Sequence, residues 1–573
     1  MSFFDDASLA FLPSGGAGKD TKAYSIKPTD GSGDFTFSRG SNLAATRVGP
    51  TGLIEKGREN LLLQSNNFDT TWTDGGTATL TSGQSGYDGS NDAWLLEALS
   101  ASFIFYQGVS SSGVCTFSIY AKAGTTDKMA FYVVTSPSTR AGFDLSSGTI
   151  DFTLRDVDAS IEDVGNGWYR CSMAFEGAST SVRIYPTDSS LSPAIGDNIL
   201  IQDAQLEIGL AATEVITTGA TTGKAGLLED EPRFDYSGGA TCPSLLLEPS
   251  RTNLMTYSEI FQGSSGGYWR IFDNGTIEPN YGISPEGVNN STKIGTSGGN
   301  NDFVYNSITI SSGTTYTLSC FVKNIDATES LIYGVNTTDN DLTWSGSTLT
   351  SVAGGDFEPV GNGWYRIWIT TTSTSTSAIT RIYSDRNGGT GSIEIYGFQV
   401  EAGSYPTSYI PNHSGGSVTR GAESCIKTSY PDLSSQQELT LYTEFNYEQS
   451  GRVIAIGNGT TSTRLFASYG SDKQMYMYLN IGGTLAFFLT SPNDTLLDGK
   501  NKVAVKIKSG ESLLYLNGTE IFNNTSTFTL SGFQNVYIAT SEYGSTNNIQ
   551  KIDSALIFYN ALSAADLATL TTL

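Results

Sequence analysis

Aromatic and basic side chains alternate along short matched segments of this chain. The peptide Val-Gly-Asn-Gly-Trp-Tyr-Arg occurs twice without change, ending at Arg170 and at Arg366. Successive side chains of a strand point to opposite faces, so Trp168 shares a face with Arg170, and Trp364 shares one with Arg366. Aromatic rings stack on the apolar faces of sugars, while Arg donates hydrogen bonds to hydroxyl and carboxylate groups. The pattern predicts a contact face for a glycan or, since the same residue types dominate interface hot spots, for a protein subunit.

The alternation extends to neighbouring segments in each copy, where apolar residues occupy every second position. The predicted contact faces consist of Tyr120, Lys122, Trp168, Arg170, Arg183 and Tyr185 in the first copy, and of Phe321, Lys323, Trp364, Arg366, Trp368, Arg381 and Tyr383 in the second. Large exposed aromatic side chains are uncommon on monomers. The alternatives are therefore that residues 1–57 or 213–249 cover these faces, or that subunits pack on them.

Residues suited to catalysis are scarce. The chain has one histidine, His413, in a Pro-Asn-His-Ser-Gly-Gly segment that we expect to be a solvated loop. A Ser-His-Asp triad would have to use it, and no Gly-rich phosphate loop follows a strand and opens a helix. We predict that the protein is not an enzyme and has no cofactor. A glycosidase-type pair of carboxylates stays open, because 57 acidic residues offer many pairs whose separation the sequence does not give.

The repeated peptide belongs to an internal duplication. Its two copies lie 196 residues apart, and three further landmarks recur in the same order at offsets of 193, 201 and 194 residues. These landmarks are 58–61 with 251–254, 118–122 with 319–323, and 205–209 with 399–403. The conserved order indicates two copies of one domain of about 150 residues.

Composition indicates the class of domain. Gly (64 residues) and aromatic residues (11%) are abundant, and no long segment has helical periodicity, which is typical of all-β proteins. A net charge of −25 disfavours nucleic acid and anionic membranes as partners. We expect no signal peptide, because the N-terminal residues lack its pattern, and no membrane-spanning helix, because no run of 18 apolar residues exists. The five cysteines are too scattered for a disulfide framework.

The order of landmarks and turn-rich segments divides the chain into five parts. A lead or attachment segment spans 1–57, a first repeat 58–212, a polar linker 213–249, a second repeat 250–411, and a third domain 412–573. Strand-like alternation and Asn-Gly turns predict a β-sandwich for each of the three larger parts. We expect residues from about 420 onward to fold alone.

Several segments resemble a known family. In the first 420 residues they are 35–41, 45–48, 52–55, 245–254, 397–403 and 407–411. These segments resemble repeat units of tailed-bacteriophage fibre and appendage proteins, which are jelly rolls similar to carbohydrate-binding modules. Segments 502–506, 514–518 and 557–566 resemble a laminin-G/concanavalin-like sandwich. The resemblance implies an all-β fold with two tandem jelly rolls followed by a concanavalin/laminin-G-like sandwich.

The resemblance also implies a role and partners. We expect a structural virion protein, a head or tail fibre made in the bacterial cytoplasm, which forms a homotrimer and contacts other virion proteins and host-surface polysaccharide. The alternatives are a capsule-degrading carbohydrate-active enzyme and a capsid decoration or head-fibre protein without a ligand of its own. Similar jelly rolls often hold a structural Ca²⁺ between their first and last strands, where this chain has Asn60, Gln205 and Glu207, but strand alternation explains these residues equally well and no metal is assigned.

Overall fold

The computed structural model describes residues 3–14, 18–19, 21–40, 43–155, 157–261, 269–296, 298, 302–335, 339–386, 389–541 and 548–573. The chain is built almost entirely of strands, which confirms the all-β, jelly-roll prediction. No helix in the described ranges is long and apolar enough to cross a membrane.

The lead segment and the first repeat contain α1 (Phe3–Asp6), β1 (Leu9–Phe11), β2 (Gly18–Lys19), β3 (Lys22–Ala23), β4 (Phe35–Ser38), β5 (Thr46–Val48), β6 (Ile54–Lys56), β7 (Arg58–Asn60), β8 (Ala78–Gln84), β9 (Ala93–Ala98), β10 (Tyr106–Ser111), β11 (Val114–Ala123), β12 (Lys128–Val134), β13 (Thr139–Asp144), β14 (Thr149–Leu154), β15 (Asp158–Gly165), β16 (Trp168–Glu176), β17 (Ser179–Tyr185) and β18 (Asn198–Ile208).

The linker and the second repeat contain β19 (Gly223–Ala225), β20 (Arg233–Asp235), β21 (Ser244–Leu247), β22 (Arg251–Asn253), β23 (Arg270–Phe272), β24 (Thr276–Ile283), β25 (Asn289–Gly295), β26 (Phe303–Thr309), β27 (Thr315–Asn324), β28 (Glu329–Tyr333), β29 (Asp339–Ser345), β30 (Thr348–Val352), β31 (Gly355–Gly361), β32 (Trp364–Thr372), β33 (Ser377–Tyr383) and β34 (Ser392–Ala402).

The remainder contains β35 (Val418–Arg420), β36 (Ser424–Lys427), β37 (Glu438–Tyr447), β38 (Gly451–Gly457), β39 (Arg464–Tyr469), β40 (Met475–Ile481), β41 (Thr484–Thr490), β42 (Gly499–Lys508), β43 (Ser512–Leu516), β44 (Thr519–Asn524), β45 (Asn535–Ile538), β46 (Gln550–Phe558) and α2 (Ala564–Thr571).

Each repeat is a sandwich of two antiparallel sheets. We call the sheet with the repeated Trp-Tyr-Arg peptide the front sheet and the other the back sheet. The front sheets have the strand orders β15-β16-β11-β18-β9-β8 and β31-β32-β27-β34-β25-β24. The back sheets have the orders β10-β17-β12-β13-β14 and β23-β26-β33-β28-β29-β30. The front orders match strand for strand, and the second back sheet differs from the first by one additional edge strand, β23, so one fold occurs twice.

The predicted strand phasing agrees with burial in both repeats. Cys171 and Met173 lie in the core of the first repeat, and Ile367 and Ile369 lie in that of the second. The β15–β16 hairpin turns at Asn166, where φ is 55°, and at Gly167, where φ is 77°. This left-handed backbone suits the type I′ turn that Asn-Gly favours, so the local sequence fixes which side chains face the core.

The third sandwich uses strands from three separate parts of the chain. Among the described residues, one sheet has the order β20-β21-β46-β37-β42-β43-β44, with β1 also paired to β46. The other sheet, hereafter the nine-stranded sheet, has the order β2-β3-β4-β36-β45-β38-β39-β40-β41. The lead segment and the linker therefore complete this sandwich instead of lying outside it, which corrects the bounds expected for these segments. Both repeats are insertions between strands of the third sandwich.

Long-range pairing explains why the sequence did not show this. Leu9 pairs with Ile557, Cys425 pairs with Phe37, and Leu245 pairs with Ile552. β1, β4, β21 and β36 have only three or four residues each, and the partners in these pairs lie far apart along the chain. By contrast, the N-cap of α2 is formed by neighbours along the chain, since Ser563 Oγ accepts from Asp566 N at 3.1 Å.

Buried charges meet where the chain passes between the third sandwich and the repeats. The cluster consists of Arg39, Arg233, Glu248, Arg420 and Glu423. Arg233 contacts Glu423 at 2.7 Å and Glu248 at 2.7 Å, and Arg420 contacts Glu248 at 2.9 Å. Although burial opposes it, the charges of Arg420 and Arg233 hold the pKa of Glu248 well below its usual range. Breaking one such buried pair costs about 3–5 kcal/mol, so the cluster fixes the crossing points of the chain.

A second cluster joins the end of the lead segment and the start of the first repeat to the second repeat. Lys56 Nζ lies 2.9 Å from Glu259 Oε1, and Arg58 Nη2 lies 2.7 Å from Glu286 Oε2. His413 Nε2 lies 2.7 Å from Glu259 Oε2 with only 13% of its side chain exposed, so the expectation of a solvated histidine is wrong. Although burial opposes it, the charges of His413 and Lys56 keep the pKa of Glu259 well below its usual range.

A fragment from residue 420 onward tests the composite sandwich. It lacks Leu9, Phe11, Phe35, Phe37 and Leu245, which are fully buried. Each such side chain contributes about 1.5–3 kcal/mol, against a domain stability of about 5–15 kcal/mol. We expect no cooperative thermal transition by circular dichroism for this fragment. A control fragment of residues 58–225 keeps both of its sheets and should melt cooperatively; equal cooperativity in the two fragments would contradict the arrangement.

Candidate binding faces

The outer face of the first front sheet is covered. Trp168 is 1% exposed and Tyr120 is 8% exposed. The ring of Tyr87 stacks on that of Tyr120 with centroids 3.7 Å apart, and Val215 packs against the same group. Lys122 Nζ donates to the carbonyl of Asn166 at 2.7 Å. The aromatic side chains on this face therefore form a second buried cluster.

The outer face of the second front sheet is covered in a similar way. Trp364 is 2% exposed and Phe321 is 3% exposed. They pack with Ile54 of the lead segment and with Tyr409, while Lys323 Nζ lies 2.8 Å from Glu394. Trp368, which was predicted beside Trp364, is only half-buried. The lead segment thus covers the second repeat.

The covering segments are held by the same hydrogen bonds in both repeats. We call residues 213–218 and 407–412 the straps. Arg170 donates to the carbonyl of Thr213, and Arg366 donates to that of Thr407. The other recurrent contacts are Asn60 to Ile216 O at 2.9 Å, Asn253 to Ile410 O at 2.9 Å, Thr213 N to Glu207 at 3.0 Å and Thr407 N to Glu401 at 2.7 Å. The recurrent Asn, Gln, Glu and Arg side chains therefore position straps.

These contacts bear on the calcium that the resemblance implies. The carboxylates of Glu207 and Glu401 accept hydrogen bonds from strap donors. Glu401 is fully buried, and burial raises its pKa despite donors from Thr407. Within the described residues, no group of three or more His, Cys, Asp or Glu side chains could hold a metal ion. The Glu207 and Glu401 carboxylates therefore hold the straps by hydrogen bonds, and no metal is assigned to them.

The back sheet of the first repeat carries aromatic and arginine side chains in a row across its strands. Tyr106 pairs with Arg183, Arg183 with Tyr132, and Tyr132 with Arg140. The Arg183 guanidinium lies 5.7 Å from the ring centre of Tyr106 and 5.1 Å from that of Tyr132. Arg140 lies 4.7 Å from the Tyr132 ring. All four side chains are half-buried, so their edges reach solvent.

The second repeat has the equivalent row. Tyr305 pairs with Arg381, and Arg381 pairs with Tyr333. The Arg381 guanidinium lies 5.2 Å from the Tyr333 ring and 4.9 Å from that of Phe303. Phe303 in turn stacks on Phe272, which is 48% exposed, at 4.7 Å. We call the two rows the aromatic–arginine ladders.

The ladders differ in their electrostatics. A hydrogen bond with Ser138 and the adjacent Arg140 lower the pKa of Tyr132. The carboxylate of Asp339 instead raises the pKa of Tyr333. The first ladder is therefore the more cationic, and the two repeats present related but different surfaces.

The structure divides the predicted face residues between two sheets. Arg183 and Arg381 stand at the centres of the ladders. Tyr383 is buried against the ladder rings of Phe303 and Tyr333, whereas Tyr185 packs on Phe103 in the main core of the first repeat, so its expected place on an outer face is wrong. The ladder residues that the sequence reasoning missed are Tyr106, Tyr132, Arg140, Phe303, Tyr305 and Tyr333. Alternation within a strand located Arg183 and Arg381, but only the pairing of neighbouring strands could reveal the rings beside them.

A cleft of about 270 Å³ lies in the third sandwich. Its lining includes Asp235, Glu448, Lys500, Lys551 and Asp553. Lys500 pairs with Asp553 at 3.0 Å, and Lys551 lies 3.8 Å from Glu448. Burial raises the pKa of Glu448. The carboxylates in this cleft form ion pairs with lysines of the third sandwich.

Comparisons with known proteins give only distant similarities. No family model and no curated protein matches the chain. Similar solved structures include the CBM40 of Ruminococcus gnavus IT-sialidase bound to alpha2,3 sialyllactose, with 16% identity and a TM-score of 0.23 over 25% of this chain and 87% of that chain. Another is the binding domain of Botulinum Neurotoxin DC in complex with SialylT, with 12% identity and a TM-score of 0.22 over 26% of this chain and 38% of that chain. A third is the leech intramolecular trans-sialidase, with 17% identity and a TM-score of 0.23 over 25% of this chain and 24% of that chain.

The two tryptophans of the second front sheet should differ in their contribution to stability. Trp364→Ala removes a buried ring and should cost about 3–5 kcal/mol. Trp368→Ala removes a half-buried ring and should cost about 1 kcal/mol or less. Denaturant unfolding of each variant measures the difference, with Ile367→Asp as a severely destabilised reference. Equal costs for the two tryptophans would contradict the covering of Trp364 by Ile54 and Tyr409.

Proposed function

We propose that this protein binds glycans and that the two aromatic–arginine ladders are its saccharide-binding faces. The observation that carries the proposal is the alternation of Tyr and Arg across three paired strands, which recurs in both repeats on half-exposed sheet faces. A ring edge beside a guanidinium offers both a stacking surface and hydrogen-bond donors. Protein contact is the alternative use of the same residues.

The tandem arrangement suits a repetitive ligand. Two modest sites on one chain raise the apparent affinity for a polymer, because the second contact becomes intramolecular. Buried charge clusters join the repeats to the third sandwich, so both ladders are tied to one core. A surface polysaccharide of a bacterial host is the ligand class that this arrangement fits.

The role in a virion is a separate proposal that rests on the resemblance of residues 1–420 to phage appendage repeats. We propose a fibre or other appendage that assembles as a homotrimer with other virion proteins. Light scattering of the purified protein should give a mass near three times the 61.0 kDa of one chain. A mass near that of a single chain would contradict the trimer, and antibody labelling of particles that leaves them bare would contradict the virion location.

Replacing Tyr132 and Tyr333 by Ala in one chain tests glycan binding at the ladders. Loss of a stacking hot spot costs about 2 kcal/mol or more, which is roughly a thirtyfold loss of affinity. Binding is measured on arrays of purified bacterial surface polysaccharides. Tyr281→Ala serves as the control, because Tyr281 is 40% exposed and lies on a front-sheet edge strand.

The outcomes separate the possible functions. Unchanged binding by the double variant, with a normal thermal melt, would place glycan recognition elsewhere. Release of new reducing ends from any bound polysaccharide would favour the capsule-degrading enzyme instead. Absence of any array signal together with particle labelling would favour a decoration protein without its own ligand.

A further inference from the structure

The two ladders have the same residue types at three successive positions and opposite charges at the fourth. In the first repeat, β13 places Arg140 opposite Tyr132. In the second repeat, β29 places Asp339 opposite Tyr333. Because β13 and β29 hold the same place in the two back sheets, a cation beside the central tyrosine of one repeat is replaced by an anion in the other.

Tyr132 of the first ladder lies between two guanidinium groups. The group of Arg140 is 4.7 Å from the centre of its ring on one side, and that of Arg183 is 5.1 Å away on the other. A hydrogen bond with Ser138 lowers the pKa of Tyr132, and the charges of Arg140 and Arg183 lower it further. Two positive charges are therefore concentrated on one half-exposed ring.

Both guanidinium groups keep donors for a ligand. Arg183 Nε donates to Ser181 Oγ at 3.5 Å, and Arg140 lies beside the hydroxyl of Tyr132. Each contact leaves several of the five N–H donors of an arginine unused. A guanidinium stacked on a ring presents these donors at its edge, in a fork that fits the paired oxygens of a carboxylate or phosphate.

The equivalent ring of the second repeat has a different environment. A hydrogen bond with Asp339 raises the pKa of Tyr333, and the Asp339 carboxylate also forms an ion pair with Arg386. Arg270 adds a positive charge to this sheet, but it lies opposite Tyr305 on the edge strand β23. Three strand spacings, or about 14 Å, separate β23 from the strand of Tyr333. Tyr333 is therefore flanked by one cation and one anion.

We infer that the first ladder binds an acidic saccharide and holds its oxyanion between Arg140 and Arg183, beside Tyr132. The inference rests on the proposed function, in which the ladders bind saccharides, and adds the charge of the ligand. The second ladder does not hold an oxyanion at the equivalent ring, because Asp339 repels it. Arg140 is thus the residue that determines specificity, and the recognised chemistry is the paired oxygens that a sugar carboxylate and a phosphate ester share.

The full chain with Tyr333→Ala leaves the first ladder as the intact one. It is tested on arrays of purified bacterial surface polysaccharides printed in pairs, native and after carboxyl reduction or dephosphorylation. We expect it to bind acidic polymers and to lose about tenfold or more in affinity when their acid groups are removed, because hydrogen bonds to charged groups are lost. Loss on carboxyl reduction identifies a carboxylate as the ligand group, and loss on dephosphorylation identifies a phosphate.

Changes at Arg140 test the same contact from the protein side. In the Tyr333→Ala chain, Arg140→Gln should lower the affinity for native acidic polymers about tenfold or more. Arg140→Lys keeps the charge and should retain more of the affinity. Lys508→Gln removes an equal charge from an exposed position of the third sandwich, and it should bind like the Tyr333→Ala parent.

The second ladder provides the reverse test. In a chain with Tyr132→Ala, Asp339→Asn should raise the affinity for the same acidic polymers several-fold, because the repelling carboxylate is removed and Arg386 loses its ion pair. The side chain of Asp339 is 42% exposed, so this change should leave the thermal melt unaltered. Binding of acidic polymers that is as tight with Asp339 as with Asn at this position would contradict the repulsion.

The outcomes distinguish this inference from the proposed function. Equal affinity for native and charge-free polymers, or equal loss with Arg140→Gln and Arg140→Lys, would overturn the inference. If array binding is still lost on combining Tyr132→Ala with Tyr333→Ala, glycan binding at the ladders would stand without it. Unchanged binding by that double variant would overturn the proposed function and the inference together. If Arg140→Gln melts abnormally, the paired polymers still decide, because they leave the protein unchanged.

Discussion

The buried charge cluster at the crossing points is the constraint on which the rest of the structure depends. Arg39, Arg233 and Arg420 come from three segments that leave or return to the third sandwich, and each of them forms an ion pair with Glu248, Glu423 or both. Removing one partner would leave an unpaired charge in a medium that solvates it poorly. The cluster therefore ties the insertion points of both repeats to one place, and the orientation of both ladders follows from it.

The front and back sheets of the repeats differ in whether a strap covers their outer face. The front sheets hold the straps with their aromatic and arginine side chains. Arg170 and Arg366 each donate a hydrogen bond to a strap carbonyl. Back sheets carry the same residue types without a strap, so the rings and guanidinium groups remain half-exposed. Aromatic and arginine side chains thus pack against straps on the front sheets and remain partly accessible on the back sheets. Residue type alone does not decide between these uses; the position of the covering segment does.

The sequence predicted the features that are set by residues close together along the chain. Strand alternation placed Cys171 and Ile367 in the cores, and Asn-Gly predicted the hairpin turn at Asn166. It did not predict that Leu9 pairs with Ile557, because a short apolar strand carries no signal for a partner so distant in sequence. For the same reason it found Arg183 but not Tyr132, since cross-strand register is set by long-range contacts.

The composite third sandwich gives a physical reason for combining these faces in one chain. Because β1 and β4 lie in its two sheets, the beginning of the chain and its end share one core. A force on either repeat is resisted by the same core, through the Arg–Glu cluster and the Lys56 contacts with Glu259. Two sites on one chain raise its apparent affinity for a polymer when their geometry lets both engage the polymer at once. Insertion of both repeats into one sandwich provides that geometry better than flexible linkers between separate domains, whose motion would dilute the effective concentration of the second site.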